Sequence, residues 1–459
     1  MTERVVVIGG DAAGMSAASQ AKRLAGDRLD VVALERGGFT SYSACGIPYW
    51  IGGDVEDLDA LIARTPEEHR RNGIDVRMRN EAMALDLGRR QVEVRDHEAG
   101  STYRLDFDQL VIATGARPRR PDVPGIDADG VLGVQTLGDG TRALAALEDG
   151  PKRAVVVGGG YIGIEMAEAM VNRGLTVTVV TRSAEPMATL DPDMGAQVHA
   201  AMESMGIDVR TSVQLQAIGT SDGRATSVVT DQGEFPADLV VLGTGVSPET
   251  TLAGDAGLPL GLWGGLITDL QMRIFERDGL WAAGDCVESI DLVSGNRVHV
   301  ALGTHANKQG RVLGTNLGGG YATFPGVVGT AMTKVCDLEI ARTGLLEKDC
   351  RVVGFDYVTS LVDSTTRAGY YPGAAPVTVK LLAEKGTGRL LGGQIVGREA
   401  SAKRIDALAV ALWNRMTVTE MVSLDLGYAP PFSPTWDPVL IAARKASDEV
   451  TAADRGRGR

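Results

Sequence analysis

The feature that most limits how this chain can fold is a strand, glycine turn and helix that occurs twice. Val5-Val6-Val7-Ile8 runs into Gly9-Gly10-Asp11-Ala12-Ala13-Gly14 and a helix from Met15 to Leu24. Val155-Val156-Val157 runs into Gly158-Gly159-Gly160-Tyr161-Ile162-Gly163-Ile164-Glu165. In such a unit the first glycine permits the tight turn and the second lets the backbone approach a pyrophosphate. The third lets helix and strand pack closely, and N–H groups at the helix start bind phosphate. The second copy has Gly158, Gly160 and Gly163 in register, whereas Asp11 takes the middle place in the first.

The strands after the two turns end differently. The strand Val31 to Leu34 ends at Glu35-Arg36, about twenty residues beyond the loop, where a carboxylate accepts hydrogen bonds from a ribose. The strand Leu175 to Val180 ends in Thr181-Arg182. A cation without a carboxylate suits a ribose carrying a 2′-phosphate, which favours NADPH and leaves NADH possible. Val111 to Pro118, containing Ala113, Thr114 and Gly115, has a counterpart in Val240 to Pro248, containing Gly245. Each reads as a strand entering a glycine turn where the chain crosses between domains. Gly279 to Asp285 is a further strand, and Asp285 is placed to bind hydroxyls of a second dinucleotide. Five such features in this order predict two bound dinucleotides.

The expected fold class is therefore α/β, with two Rossmann-like three-layer dinucleotide-binding domains. At 459 residues the chain is too long for one core. The first domain is expected at 1–117 and 250–322, and the second at 118–249. Beyond Tyr321 the pattern changes. Strands are predicted at Val327 to Met332, Arg351 to Phe355, Val377 to Leu381 and Leu390 to Val396, then a helix from Ser401 to Trp413 with Ile405, Leu408 and Leu412 on one face. This third, α+β unit at 323–446 has no phosphate loop, and its expected task is dimerisation. Residues 447–459, ending Arg-Gly-Arg-Gly-Arg, read as a disordered tail.

A net charge of -13 argues against a nucleic-acid partner. No apolar run is long enough to span a membrane, and a strand beginning at Arg4 leaves no room for a signal peptide. The four cysteines lie far apart, with neither metal-ligand spacing nor a disulfide framework. A reducing cytoplasm and no metal are the expectations.

Cys45 stands out within Ser41-Tyr42-Ser43-Ala44-Cys45-Gly46-Ile47-Pro48-Tyr49. It lies about thirty residues past the first phosphate loop, where a flavin ring is reached. A two-cysteine redox pair needs a partner at 40 or 50, and those are Thr40 and Trp50. A lone thiol there implies a mixed disulfide or a sulfenic acid. The bland alternative is a small residue filling space, which is the reading for Cys286, Cys336 and Cys350. His69, His97, His199 and His299 carry no motif and read as structural.

With these motifs in place, the chain resembles the pyridine nucleotide-disulfide oxidoreductase superfamily over residues 1–446, and within its single-cysteine branch most nearly the coenzyme A disulfide reductases. The residues that carry it are Ser41 through Tyr49, Thr304 through Arg311, Gly369-Tyr370-Tyr371-Pro372-Gly373-Ala374 and Gly427-Tyr428-Ala429-Pro430-Pro431. The resemblance implies FAD in the first domain, NAD(P)H in the second, and a homodimer in which one subunit's third domain completes the other's active site. It implies that Cys45 is the redox thiol, that Ser41 touches substrate, and that Gln20 and Arg23 hold the coenzyme A portion. Tyr370 or Tyr371, with Tyr428, would come from the partner, and Tyr161 would gate the flavin face. His305 reads either as a substrate neighbour or as a structural histidine.

The chain departs from the family pattern in three ways. Ala44 stands where an asparagine commonly precedes the cysteine, and Trp436 where a lysine lies on the coenzyme A path. Asp11, Ala12 and Ala13 stand where oxidase and peroxidase relatives carry a histidine. The first two weigh against coenzyme A specificity; the third weighs against peroxide or oxygen. The expected activity is NADPH-dependent, FAD-mediated reduction of a small disulfide through Cys45, coenzyme A disulfide first. The alternatives are persulfide or polysulfide reduction, an NAD(P)H oxidase or peroxidase cycling through Cys45 sulfenic acid, and a non-enzymatic redox sensor.

Overall fold

The computed structural model describes residues 2–457. The valine run of the first glycine unit sits at the centre of a five-stranded parallel sheet. Its order is Leu280–Ala282, Gln109–Ile112, Glu3–Ile8, Leu29–Glu35 and Ile74–Met78. Val5, Val6 and Val7 have no exposed surface, as an all-apolar strand covered on both faces should. A second parallel sheet repeats the plan with Asp208–Arg210, Thr176–Val180, Arg153–Val157, Leu239–Leu242 and Val131–Gly133.

Two helices pack unusually close in the first unit. Ala12–Ala25 lies against Gly303–Leu317, and the contact is made of small residues. A Cβ at Gly310 would stand 2.3 Å from the Ala13 carbonyl oxygen, and one at Gly314 2.3 Å from that of Ala17. The two helices can touch only because those side chains are absent.

The chain crosses between the two parallel sheets twice, and the crossings pair with each other. Ala116–Pro118 runs antiparallel to Val246–Pro248. Thr114 Oγ1 donates to the Glu249 carbonyl and Thr244 Oγ1 to that of Arg119, both at 2.5 Å. Two threonines from equivalent turns thus clamp the ribbon at opposite ends.

The C-terminal unit is a five-stranded antiparallel sheet ordered Ala331–Val335, Leu338–Gly344, Leu390–Gly397, Pro376–Glu384 and Tyr357–Thr365. Ile405–Trp413 and Pro438–Arg457 cover its apolar face. Three expectations are corrected here. The strand foreseen at Val327 to Met332 begins only at Ala331. The run Arg351 to Phe355 is no strand: Glu347–Val353 is a helix stopped by Gly354 at φ 88°. Asp349 accepts the Leu346 N–H at its start, and Val352 points to solvent at 88% exposure. Capping at both ends overrides the β-branched pair. The tail from 447 is helical through Arg457 because Ala446 and Val450 reach the core and Ser447 bonds Thr419 at 2.8 Å. Residues 458 and 459 of that tail lie outside the described residues.

Candidate active site

The second glycine loop is built to receive a phosphate group. Gly158 sits at φ 112°, and a Cβ there would lie 2.2 Å from the Gly243 carbonyl oxygen. A Cβ at Gly163 would stand 1.9 Å from the Gly158 carbonyl oxygen, while one at Gly160 meets nothing within 4 Å. Two glycines close the turn and the middle one faces open space, which fits a pyrophosphate. Tyr161 begins the helix Tyr161–Asn172, and its hydroxyl is buried without a hydrogen-bond partner. Arg182 is exposed beyond the Thr176–Val180 strand. The first acid after it in the sequence, Glu185, is engaged by His199 Nδ1 at 2.7 Å.

The first loop makes the same turn with different polar chemistry. Gly9 lies at φ 115°, and its Cβ would meet the Ala113 carbonyl oxygen at 2.0 Å. Glu35 accepts the N–H groups of Gly10 at 2.8 Å and Gly37 at 2.6 Å, leaving lone pairs free for ribose hydroxyls. Arg36 beside it is exposed. Asp11 accepts the Tyr42 N–H at 3.1 Å, and burial pushes its carboxyl up to about 6. Asp285 is pushed up by burial, and its carbonyl contacts His299 Nε2 at 2.8 Å. Gly284 N–H donates to Gln309 Oε1 at 2.7 Å, fixing the approach of that aspartate. Ala113, Thr114 and Gly115 follow the strand Gln109–Ile112, and Gly245 takes the equivalent turn, exposed at φ 86°.

Cys45 lies in the short turn Ala44–Gly46 that opens the helix Ile47–Gly52, and it is exposed. The other three cysteines are pushed up to about 11 (Cys286 and Cys336) and about 12 (Cys350), burial first, as inert thiols. The Cys45 thiol is also pushed up, by desolvation and then by the charges of Glu165 and Asp285. The carboxylates around Cys45 therefore disfavour its thiolate. Glu165 accepts from Thr333 Oγ1 at 2.5 Å and is itself pushed up by burial. That bond ties the helix that follows the second glycine loop to the C-terminal sheet.

The substrate candidates divide into two groups. Gln20 is buried, donating to Thr315 Oγ1 and accepting from Arg23 Nη1, both at 3.1 Å, so it braces the exposed Arg23. His305 is half-buried, and desolvation followed by Lys308 lowers its pKa to about 4. It is neutral at pH 7 and offers no cation. Tyr370, Tyr371, Tyr428 and Trp436 lie on the C-terminal unit with exposed ring surface, 78% for Tyr370. The Tyr370 hydroxyl is pushed up by desolvation and then by the neighbouring Tyr428. Their two loops are joined by Arg404, which bonds Asp437 at 3.0 Å and donates to the carbonyls of Thr366 and Phe432. Arg404 carries no motif, and sequence reasoning missed it.

A second missed group lies behind the second glycine loop. Lys380 is 3% exposed and bonds Asp193 at 2.7 Å, Glu347 at 2.7 Å and Asp191 at 3.2 Å. Asp191 also accepts from Gln394 Nε2 at 2.7 Å and from Glu347 N at 3.0 Å. These bonds anchor the segment whose Met187 N–H donates to the Gly159 carbonyl at 2.6 Å.

Residues 3–310 match the pyridine nucleotide-disulphide oxidoreductase family and residues 330–438 its dimerisation domain. The chain belongs to this family. It is 38% identical over 452 residues to an NAD(P)H coenzyme A polysulfide/persulfide reductase from Pyrococcus horikoshii, covering 97% of this chain and 98% of the relative. It is 35% identical to an NADH oxidase from Methanocaldococcus jannaschii, covering 98% and 99%. Among solved structures, a NAD-dependent persulfide reductase from A. fulgidus superposes with a TM-score of 0.94 at 39% identity, covering 98% of this chain and 84% of that one. As a member of this family the chain is an FAD-dependent, NAD(P)H-dependent oxidoreductase, and its two glycine loops fit those two dinucleotides. Among the described residues no helix is long and apolar enough to cross a membrane. No cluster of three or more metal-ligating side chains occurs among them either.

Proposed function

We propose that this oxidoreductase cleaves sulfur–sulfur bonds of small thiol derivatives at Cys45, with coenzyme A persulfide or polysulfide and coenzyme A disulfide as its substrates. The observation that carries this reading is the exposure of Cys45, against buried Cys286 and Cys350 and half-buried Cys336. The persulfide side is favoured by relatives at 38% and 39% identity whose names specify it. FAD, when bound, supplies two-electron transfer between NAD(P)H and sulfur.

The chain's own residues then have distinct tasks. Cys45 thiolate attacks one sulfur; the S–S bond breaks, one half leaves as an anion and the other stays on Cys45 as a mixed disulfide. Two further electrons release that half and restore the thiolate. Ser41 and Arg23, the latter braced by Gln20, line the approach of the coenzyme A portion. In a homodimer the partner's third domain brings its aromatic group over this site, and a Tyr428 hydroxyl protonates the leaving sulfur. His305 and Trp436 act on the substrate path by shape, since neither offers charge. NADPH is preferred because Arg182 has no free carboxylate beside it.

The test is anaerobic NADPH oxidation with coenzyme A disulfide and with coenzyme A persulfide, on wild type and Cys45→Ser. Turnover by wild type and its loss in the variant are expected. Prompt flavin reduction with turnover only when oxygen is admitted would overturn the reading in favour of an oxidase.

A further inference from the structure

Ser41 adopts an uncommon backbone conformation. It lies at φ 49°, a region that costs a non-glycine residue on the order of 1 kcal/mol or more, four residues before Cys45. The segment is pinned there from both sides: Ser41 N–H donates to the Gly10 carbonyl at 3.2 Å, and its own carbonyl accepts from Ala63 N at 2.8 Å. Its hydroxyl oxygen lies 2.9 Å from His69 Nε2. His69, on the helix Pro66–Arg71, is 1% exposed, and its other ring nitrogen, Nδ1, is buried without any partner.

That orphan nitrogen decides the direction of the hydrogen bond. A buried N–H without an acceptor costs more than a lone pair without a donor. The stable neutral tautomer therefore carries its proton on Nε2 and leaves Nδ1 bare. Nε2–H donates to Ser41 Oγ. The Ser41 hydroxyl hydrogen is then released from any duty toward the protein, at the end of a residue locked in place.

We propose that His69 is a positioning residue that turns the Ser41 hydroxyl into a dedicated hydrogen-bond donor for the Cys45 thiolate. The proposal rests on the sulfur chemistry above for the identity of the anion. It also meets a need: desolvation, and after it the carboxylates of Glu165 and Asp285, disfavours charge on Cys45, so an anion there requires donors that the local charges do not provide. No proton is transferred in this role; His69 orients, and Ser41 donates.

The test is a double-mutant cycle in the full-length, FAD-loaded enzyme: Ser41→Ala, His69→Leu, the pair together, and His69→Gln, which keeps a donor. Two readouts are taken at one pH. They are alkylation of reduced Cys45 by iodoacetamide, and kcat/KM with coenzyme A disulfide and coenzyme A persulfide. Each single variant should slow alkylation several-fold and lower kcat/KM about tenfold, the scale of one charge-assisted hydrogen bond. The pair should be no worse than Ser41→Ala alone, and His69→Gln should stay near wild type. Flavin reduction by NADPH should not change in any of them. Multiplying effects in the double variant, or wild-type alkylation in His69→Leu, would overturn the proposal. His69→Phe, which fills the same space, takes the place of Leu if that variant does not accumulate. Failure of wild type with every sulfur substrate would refute the proposed function, while the alkylation series would still decide the role of His69.

Discussion

The two glycine loops share one backbone design and differ in how their surroundings are wired. Around the first, an acid at each critical place is satisfied locally: Glu35 takes two backbone N–H groups and Asp11 takes one. Around the second, the middle position is open and the bracing comes from afar, through Met187, Asp191 and buried Lys380 on the C-terminal sheet. The first loop is held within its own domain. The second depends on another. A cofactor that stays bound suits a self-contained cradle, and one that arrives and departs each cycle suits a cradle braced by a neighbouring domain.

Steric substitutions should break that comparison most sharply. Gly9→Ala places a methyl group 2.0 Å from a carbonyl oxygen, and the expected outcome is no flavin-loaded protein at all, checked by absorbance of purified material. Gly160→Ala meets open space, so melting temperature should hold while the KM for NADPH rises on the order of tenfold, one ~1.4 kcal/mol contact. Equal loss of stability in both would mean that the second loop's middle glycine is structural.

Lys380→Met should have the next largest effect. It leaves three carboxylates facing each other without their cation, at a cost of about 3–5 kcal/mol, read by chemical denaturation. The NADPH side should suffer selectively: KM for NADPH rises while FAD content per subunit is unchanged. Loss of FAD instead would show that the bracing is shared.

Asp11→Asn should act in the opposite direction. Burial raises the Asp11 carboxyl from 3.8 to about 6, so its contribution to folding is full below about 3.8 and is lost as pH rises through about 6. Asparagine stays neutral throughout. The flavin-free variant should therefore exceed wild type in stability by up to about 3 kcal/mol above pH 6, and the gap should close toward pH 4. Melting curves across that range check the sign.

How far the sequence could be read depends on the range of the forces involved. Both glycine turns, their strands and the isolation of Cys45 are local patterns, and each can be named from a few neighbouring residues. The helix at Glu347–Val353 reads as a strand because its cap chemistry competes with a β-branched pair. The helical continuation past residue 447 rests on Ala446 and Val450 finding a sheet contributed from elsewhere. The Lys380 cluster, the Arg404 tie and the His69–Ser41 pair join residues far apart in sequence, so no spacing signals them. By its neighbours in sequence His69 is any unassigned histidine; its meaning lies in the partner of one nitrogen and the solitude of the other.

The order of strands in the first sheet carries a consequence for synthesis. Leu280–Ala282 joins that sheet beside Gln109–Ile112, yet the whole second sheet lies between them in the chain. As the polypeptide emerges from the ribosome, the second domain is complete while the first still lacks its edge strand, the Asp285 turn and the glycine-faced helix Gly303–Leu317. The later domain can thus fold first, and its ends, already paired as the ribbon of Ala116–Pro118 and Val246–Pro248, deliver the missing pieces beside the waiting sheet. Until Leu280–Ala282 has been made, the first sheet lacks the strand beside Gln109–Ile112 and the turn that carries Asp285.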